Sequence, residues 1–376
     1  MMDRGFAVYV HWPFCESKCP YCDFNSHVRE RVDQSVWREA LLHSLESWAG
    51  ETPGRTVGSV FFGGGTPSLM DPETAGAVLE RVRALWPVAD GLEVTLEANP
   101  GSVEAVRFRG FAEAGVNRLS LGVQSFRDGE LAFLGRRHDA RAARAALELA
   151  HRTFPRVSFD LIYALPGHTA AEWAARLDEA LGLTGEHLSL YQLTIEPGTA
   201  FAPRAARGDF VLPEEDEAAA LYETTQDRLA AAGLPAYEIS NHARPGAACR
   251  HNLTYWRGGE WVGVGPGAHG RIDTEEGRIA TAERRAPEAW LAEAGHRGRA
   301  VGERRLLEPL EAMQERIQTG LRLAEGIPAA GLASAIDADR LAHLRAEGLL
   351  SAQTDRLQAT PAGRQRLDAV VRYLLI

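Results

Sequence analysis

The stretch FCESKCPYCDF, Phe14–Phe24, sets Cys15, Cys19 and Cys22 at the spacing C-x3-C-x2-C, and the 376-residue chain has one further cysteine, Cys249. It directly follows a strand-like run, AVYVHW from Ala7. Clustered thiols in a long, otherwise cysteine-poor chain point to metal or redox chemistry rather than to a disulfide framework. A structural zinc site would need a fourth ligand here, His27 or His11. An iron–sulfur cluster takes thiolates, and a four-iron cluster held by three of them leaves one iron open to a small molecule.

Five more strand-like runs follow: VGSVFF from Val57, LEVTLEA from Leu92, NRLSLGV from Asn117, RVSFDLIY from Arg156 and HLSLYQLTI from His187. Several read as apolar nearly throughout, as parallel strands covered on both faces do. Helical patterns separate them. Trp37, Leu41, Leu45 and Trp48 share one helical face, and Asp71-Pro72 opens another helix. Six strands alternating with helices predict an α/β fold of parallel βα units, either a barrel or an open sheet. The polar, glycine-rich phrases GGGTP, EANP, GVQSF and DLIYALPG all sit at strand ends, the rim that builds active sites in βα barrels. After about residue 205 the rhythm changes. The reading divides the chain into a barrel over 1–205, a barrel extension over 206–270, a linker over 271–300 and a mostly helical domain over 301–376. The last of these has the helix–hairpin–helix pattern of a winged-helix unit. Six arginines against four acids between Asp339 and Ile376 are too few to favour DNA, so a packing or lid role is expected.

Composition bounds the function. The chain is 45% hydrophobic and 24% charged, as soluble globular proteins are. A net charge of −10 argues against nucleic acid as the main partner. No apolar run is long enough for a membrane span, and MMDRGFAVYVHWPFC has no signal-peptide pattern, so a cytoplasmic location is expected. Lys18, inside the cysteine loop, is the only lysine.

With the cysteine loop after the first strand and GGGTP after the second, the chain resembles the radical S-adenosylmethionine (SAM) superfamily. That resemblance implies a partial (βα)6 barrel holding a [4Fe-4S] cluster on Cys15, Cys19 and Cys22. The open iron would be chelated by SAM, which the reduced cluster cleaves to methionine and a 5′-deoxyadenosyl radical. It also implies SAM-binding roles for Tyr9, Tyr21, Gly64, Gly65, Thr66, Glu97, Gln124, Arg136 and Asp160. Glycines admit close backbone approach, an arginine can pair with a carboxylate, and acids can accept from ribose hydroxyls.

The phrases YVHWPFC, CPYCDFNSH, FFGGGTPS, EANP, GVQSF and DLIYALPG resemble one branch of the superfamily. It contains the oxygen-independent coproporphyrinogen III oxidases and the related heme chaperones. The oxidases carry a further cysteine two positions after the third, where this chain has Phe24, and a longer arm before the cysteine loop. Both departures favour heme binding and delivery over decarboxylation in porphyrin biosynthesis, and leave enzymatic turnover open. A methyl-transfer chemistry would want an additional cysteine near SAM, and only Cys249 is available. RHNLTYW, with His251, Asn252 and Tyr255, resembles the H-N-x-x-Y element linked to heme in the chaperones, and Cys249 is a second candidate ligand. If helical, His251 and Tyr255 share a face. GVGPGAHG, containing His269, is expected at the same rim. The implied partners are heme, an acceptor hemoprotein such as a membrane respiratory protein, and an electron donor for the cluster.

Overall fold

The computed structural model describes residues 4–376. Six strands, β1 (Phe6–Trp12), β2 (Val57–Gly64), β3 (Val88–Ala98), β4 (Arg118–Gln124), β5 (Arg156–Tyr163) and β6 (His187–Gln192), pair in chain order, all parallel. Between and after them run α1 (Gln34–Glu51), α2 (Pro72–Leu85), α3 (Ser102–Ala114), α4 (Asp128–Phe133), α5 (Ala140–Thr153) and α6 (Ala170–Leu181). This is the α/β arrangement expected from the sequence. Local signals set its helix starts. Asp33 accepts from the backbone N–H groups of Ser35 and Val36 at the head of α1, and Asp139 accepts from that of Ala142 at the head of α5. Asp71 stands before Pro72 at the head of α2 but makes no side-chain capping bond there.

The parallel strands are two-faced rather than apolar throughout. Val8, Val10, Val60, Phe62, Val94, Leu96, Leu119, Leu121, Phe159 and Leu161 are buried in the main core. Trp37, Leu41, Leu45 and Trp48 of α1 join the same core. The alternate residues, among them Ser59, Glu93, Thr95, Glu97, Ser120, Ser158, Asp160 and Ser189, turn into the barrel and make a polar interior. Part of that interior is bonded within itself: Ser120 and Ser158 hydroxyls meet at 3.1 Å, and Arg118 donates to Ser158 at 3.0 Å, while the Thr95 hydroxyl is buried without a partner.

The sheet extends beyond the six strands on both sides. After α7 (Phe201–Ala206) and α8 (Glu215–Ala231), β7 (Asn241–Ala243) pairs antiparallel with β6. Then α9 (Arg250–Trp256) leads into β8 (Glu260–Val264), which lies parallel to β1. The antiparallel strands β9 (His269–Thr274), β10 (Gly277–Glu283) and β11 (Val301–Leu306) complete an eleven-stranded sheet, ordered β11-β10-β9-β8-β1-β2-β3-β4-β5-β6-β7.

Residues 271–300, expected as a linker, therefore contain sheet strands and the helix α10 (Pro287–Arg297). Trp290 of α10 is fully buried and stacks on Trp37 of α1, ring centroids 5.6 Å apart. The segment lacks apolar periodicity because much of what it buries is small or polar: Ala280, Thr281 and Glu283 are buried beside Ile279 in β10, and Trp290 is the one large ring that α10 adds to the core.

The C-terminal helices α11 (Pro309–Gly320), α12 (Ala338–Ala346), α13 (Pro361–Gln365) and α14 (Leu367–Leu374) enclose a second core of Ile317, Leu344, Leu357, Val370 and Leu374, with a short strand pair, Ile327–Pro328 against Arg356–Leu357. Arg322 ties this unit to the barrel: it pairs with the buried Glu238 at 3.2 Å and lies over the Trp256 ring at 4.6 Å. Among the described residues no helix is long and apolar enough to cross a membrane.

Candidate functional site

A cavity of about 1010 Å³ opens at the C-terminal ends of β2–β6, beneath the cysteine loop. Parallel strands deliver their loops to this one rim, so residues far apart in the chain meet there. Cys15, Cys19, Cys22, Tyr21, Gly64, Gly65, Thr66, Glu97, Gln124, Arg136 and Asp160 all line it. Tyr9, expected with them, lies one layer deeper, inside the barrel.

The cysteine loop is braced on all sides. Phe14–Cys15 pairs with His27–Val28 as two short parallel segments. The Asn25 amide donates to the carbonyls of Pro266 and Arg285, both at 2.9 Å. Gly265 and Gly267 take φ of 107° and 76° in this turn, and a Cβ on Gly267 would fall 2.6 Å from the Asn25 amide nitrogen. GVGPGAHG thus backs the cysteine loop from behind, while the His269 side chain is exposed.

Neither histidine weighed as a zinc ligand joins the thiols. His11 Nε2 lies 2.9 Å from the Asn25 carbonyl and Nδ1 lies 3.0 Å from the Tyr9 hydroxyl, and burial drives its pKa down to about 4. It is a neutral ring with Nε2–H donating and Nδ1 accepting. His27 contacts the Asn25 side chain at 3.3 Å.

No disulfide joins the three cysteines. Burial pushes Cys15 and Cys22 up from the ordinary thiol range. Thr66 Oγ1 donates to Cys15 at 3.4 Å, and Asn99 in turn donates to Thr66 at 3.1 Å. Arg136 Nη1 donates to Cys19 at 3.3 Å and to the Tyr21 hydroxyl at 3.4 Å. Its Nη2 donates to the Gly122 carbonyl at 3.0 Å and to Asn99. A hydroxyl and a guanidinium aimed at sulfur suit thiolates.

Deeper in the cavity both acids are raised above the ordinary carboxylate range, and Glu97 far enough to keep its proton at neutrality. Burial, then the neighbouring Asp160, raises Glu97 to about 8, although the Gly64 N–H donates to it. Burial raises Asp160 to about 6, against hydrogen bonds from Ser189 and Ser120. Gln124 takes a positive φ of 67°, and its Oε1 is buried without a partner, as is Arg136 Nε. A strained residue with an orphaned acceptor on a cavity wall is suited to a polar ligand. At Gly65 a Cβ would lie 2.8 Å from the Phe14 carbonyl and 3.0 Å from Cys15 Sγ, so only glycine fits against the cysteine loop. Three thiols, a close-packed glycine loop, and an unsatisfied acceptor on Gln124 beside an unsatisfied donor on Arg136 around one cavity fit an iron–sulfur cluster with a polar ligand on its open iron.

Sequence reasoning had not singled out Asn99 and Asn25. Asn99 lies in EANP two residues after Glu97, at the same strand end. Asn25 has no local signal, because its partners lie more than 240 residues away in sequence.

The H-N-x-x-Y residues gather at the other end of the strands. Helix α9 puts His251 and Tyr255 on one face, as expected. His251 is 1% exposed, with Nδ1 3.0 Å from Ser59 Oγ and Nε2 2.6 Å from Tyr255 Oη, so both ring nitrogens are engaged. Burial takes its pKa down to about 3. Asn252 donates to the Tyr237 hydroxyl at 3.4 Å. Cys249, 1% exposed, donates to Glu93 at 3.5 Å, and burial pushes it up to about 12. Glu93 also accepts from the backbone N–H groups of Arg250 and His251 and pairs with Arg156 at 2.5 Å, which fixes the start of α9. None of these four residues lines the cavity.

Comparison with known proteins places the chain in a family. The family profile described as "Radical SAM superfamily" matches residues 9–180, and "HemN C-terminal domain" matches residues 307–366. The chain is 38% identical to "Heme chaperone HemW" of Escherichia coli over 98% of both chains. It is 44% identical to "Radical S-adenosyl methionine domain-containing protein 1, mitochondrial" of Bos taurus, over 85% of this chain and 74% of that one. Among solved structures, coproporphyrinogen III oxidase (HemN) from Escherichia coli superposes with a TM-score of 0.81 at 22% identity, covering 99% of this chain and 90% of the other; this likeness is one of fold.

Proposed function

Because the chain belongs to the radical SAM superfamily and, within it, to the family of the heme chaperone HemW, we propose that it binds heme and delivers it to acceptor hemoproteins. The observation that carries the reading is the 38% identity over 98% of both chains to a protein named for that activity.

In this reading Cys15, Cys19 and Cys22 would hold a [4Fe-4S] cluster, and the Gly64–Thr66 loop, Tyr21, Glu97, Gln124, Arg136 and Asp160 would hold SAM. The cluster's chemistry in the superfamily is reductive cleavage of SAM. Arg136 supplies the cation for the methionine carboxylate while keeping its bond to Cys19. Glu97 and Asp160 supply acceptors for the ribose hydroxyls, and Gln124 supplies an unengaged amide oxygen. Tyr9 acts from behind the loop rather than at SAM. The partners are an electron donor and an acceptor hemoprotein, a membrane respiratory protein among the candidates, and the setting is the cytoplasm.

Anaerobic reconstitution tests the cluster, with about four irons per chain expected and zinc alone overturning it. Heme titration of the same preparation should saturate, and transfer to an apo-hemoprotein should follow. Turnover of coproporphyrinogen III to protoporphyrinogen with SAM and a reductant would overturn heme delivery in favour of decarboxylation.

A further inference from the structure

A stack of rings runs from α9 through the barrel to the cysteine loop. The His251 ring lies on Phe61, centroids 4.8 Å apart and nearly parallel, and 6.1 Å from the Tyr9 ring. Phe61 and Tyr9 both abut Gly63, where a Cβ would fall 3.0 Å from Phe61 Cε1 and 2.9 Å from Tyr9 Cε2. Tyr9 Oη bonds His11 Nδ1 at 3.0 Å, and the His11 ring lies under Gly64, 2.7 Å from where its Cβ would be. His11 Nε2 then holds the Asn25 carbonyl of the cysteine loop at 2.9 Å. Each layer is in contact with the next, and close-packed interiors transmit displacement rather than absorb it.

We propose that His251, clamped by Ser59 and Tyr255, is a positioning residue: its ring is the base on which the Gly63–Gly64 loop and the cysteine loop are held in register, rather than an axial ligand of heme. The assignment rests on reading the rim cavity as the cluster and SAM site. Two features of His251 favour it. Both ring nitrogens are already engaged, so ligating iron would break a buried hydrogen bond. Its flat face, the one part left for contact, is the part against Phe61. Asn252 and Cys249 belong to the same base, tied to Tyr237 and Glu93.

The test compares wild type, His251→Ala, His251→Phe and Phe61→Leu, each reconstituted anaerobically as the full chain. Three readouts are taken: SAM affinity, the change that SAM makes in the EPR spectrum of the reduced cluster, and heme affinity by titration. His251→Ala should weaken SAM binding about tenfold and blunt the SAM-dependent spectral change, with heme affinity retained. His251→Phe keeps the flat ring and should recover most of the SAM affinity. Phe61→Leu removes the next ring and should behave like His251→Ala, so the idea stays testable if that variant fails to fold. Unaltered SAM affinity in either ring-deleted variant overturns the proposal, as does loss of heme binding in His251→Ala and His251→Phe with SAM affinity intact. A wild type that binds neither cluster nor SAM overturns the cavity reading and this proposal with it. Wild-type binding with unaffected variants overturns this proposal alone.

Discussion

Gly65→Ala adds one methyl group at the seam between the strand-end loop and the cysteine loop. Its Cβ would lie 2.8 Å from the Phe14 carbonyl oxygen, 2.9 Å from the Pro13 carbonyl carbon and 3.0 Å from Cys15 Sγ. The first two are backbone atoms, so no side chain can swing away, and the loops must part by about half an ångström. Overpacking of this kind costs about 1–3 kcal/mol in stability. The larger consequence is local. The cysteine loop moves relative to Thr66, whose hydroxyl bonds Cys15 at 3.4 Å, and a misplacement approaching 1 Å at a reacting centre costs up to about 10²-fold. Gly76→Ala is the control. In the middle of α2, its Cβ would meet Ala114 Cβ at an ordinary 3.6 Å, and a helix gains about 0.5–1 kcal/mol from the exchange. Iron per chain after anaerobic reconstitution and SAM affinity by calorimetry are measured on both variants, with far-UV circular dichroism confirming the fold. Gly65→Ala should fold, lose most of its iron and bind SAM at least tenfold more weakly, while Gly76→Ala matches wild type. Full iron and unchanged SAM affinity in Gly65→Ala would refute the reasoning.

Glu97 ordinarily ionises near 4.5 and is raised to about 8, so between those values the folded chain keeps a proton that the unfolded chain has shed. Stability of the SAM-free protein should therefore decline as pH rises through that window, with Asp160 adding to the decline between 3.8 and about 6. Glu97→Gln should flatten the upper part, and a wild-type urea midpoint that stays level across the window contradicts the assignment. Gln124→Gly relieves the positive φ and removes the orphaned acceptor, so it should stabilise the fold by about 1 kcal/mol while weakening SAM binding; a variant that binds SAM as tightly as wild type would remove Gln124 from the site. Trp290→Ala deletes the fully buried ring stacked on Trp37 and should cost about 3–5 kcal/mol in chemical denaturation. A cost below about 1 kcal/mol would mean that 271–300 is peripheral to the core after all.

What the sequence revealed was local. The three thiols within eight residues, the glycines after the second strand and the acids at strand ends are close-range patterns, and parallel topology brings such patterns to one rim. Trp37, Leu41, Leu45 and Trp48 declared their buried face by helical spacing alone. What stayed hidden depends on partners distant in sequence. Ser59, Glu93, Thr95 and Ser158 alternate with apolar residues, a period-two signal obscured because both faces of the strands are buried. Trp290 stands alone in an arginine- and glutamate-rich segment, and only its stack on Trp37 shows that the segment belongs to the core. The i, i+4 spacing of His251 and Tyr255 was readable. Their direction was not, because a glutamate on an earlier strand, Glu93, sets where α9 begins.

The eleven-stranded sheet never closes on itself, and that has a consequence for how this protein behaves in a crowded solution. An unclosed sheet leaves two strands with unpaired backbone groups, each a template for another chain. Here the two ends are blunted differently. On one side β7 is only three residues long and buried, and its outer edge is already covered by the preceding chain, the Ala243 N–H donating to the Pro235 carbonyl at 3.2 Å and the Tyr237 N–H to the Asn241 carbonyl at 3.1 Å. On the other, β11 is six residues with Gly302, Glu303, Arg304 and Arg305 exposed, and its arginines reach sideways to Glu51 at 2.8 Å and Glu311 at 2.6 Å. Placing charge of both signs along the longer edge discourages a second copy from adding its own strand. The wide mouth that an open sheet allows thus comes with a longer edge that is charged along its middle and ends on the exposed Leu306.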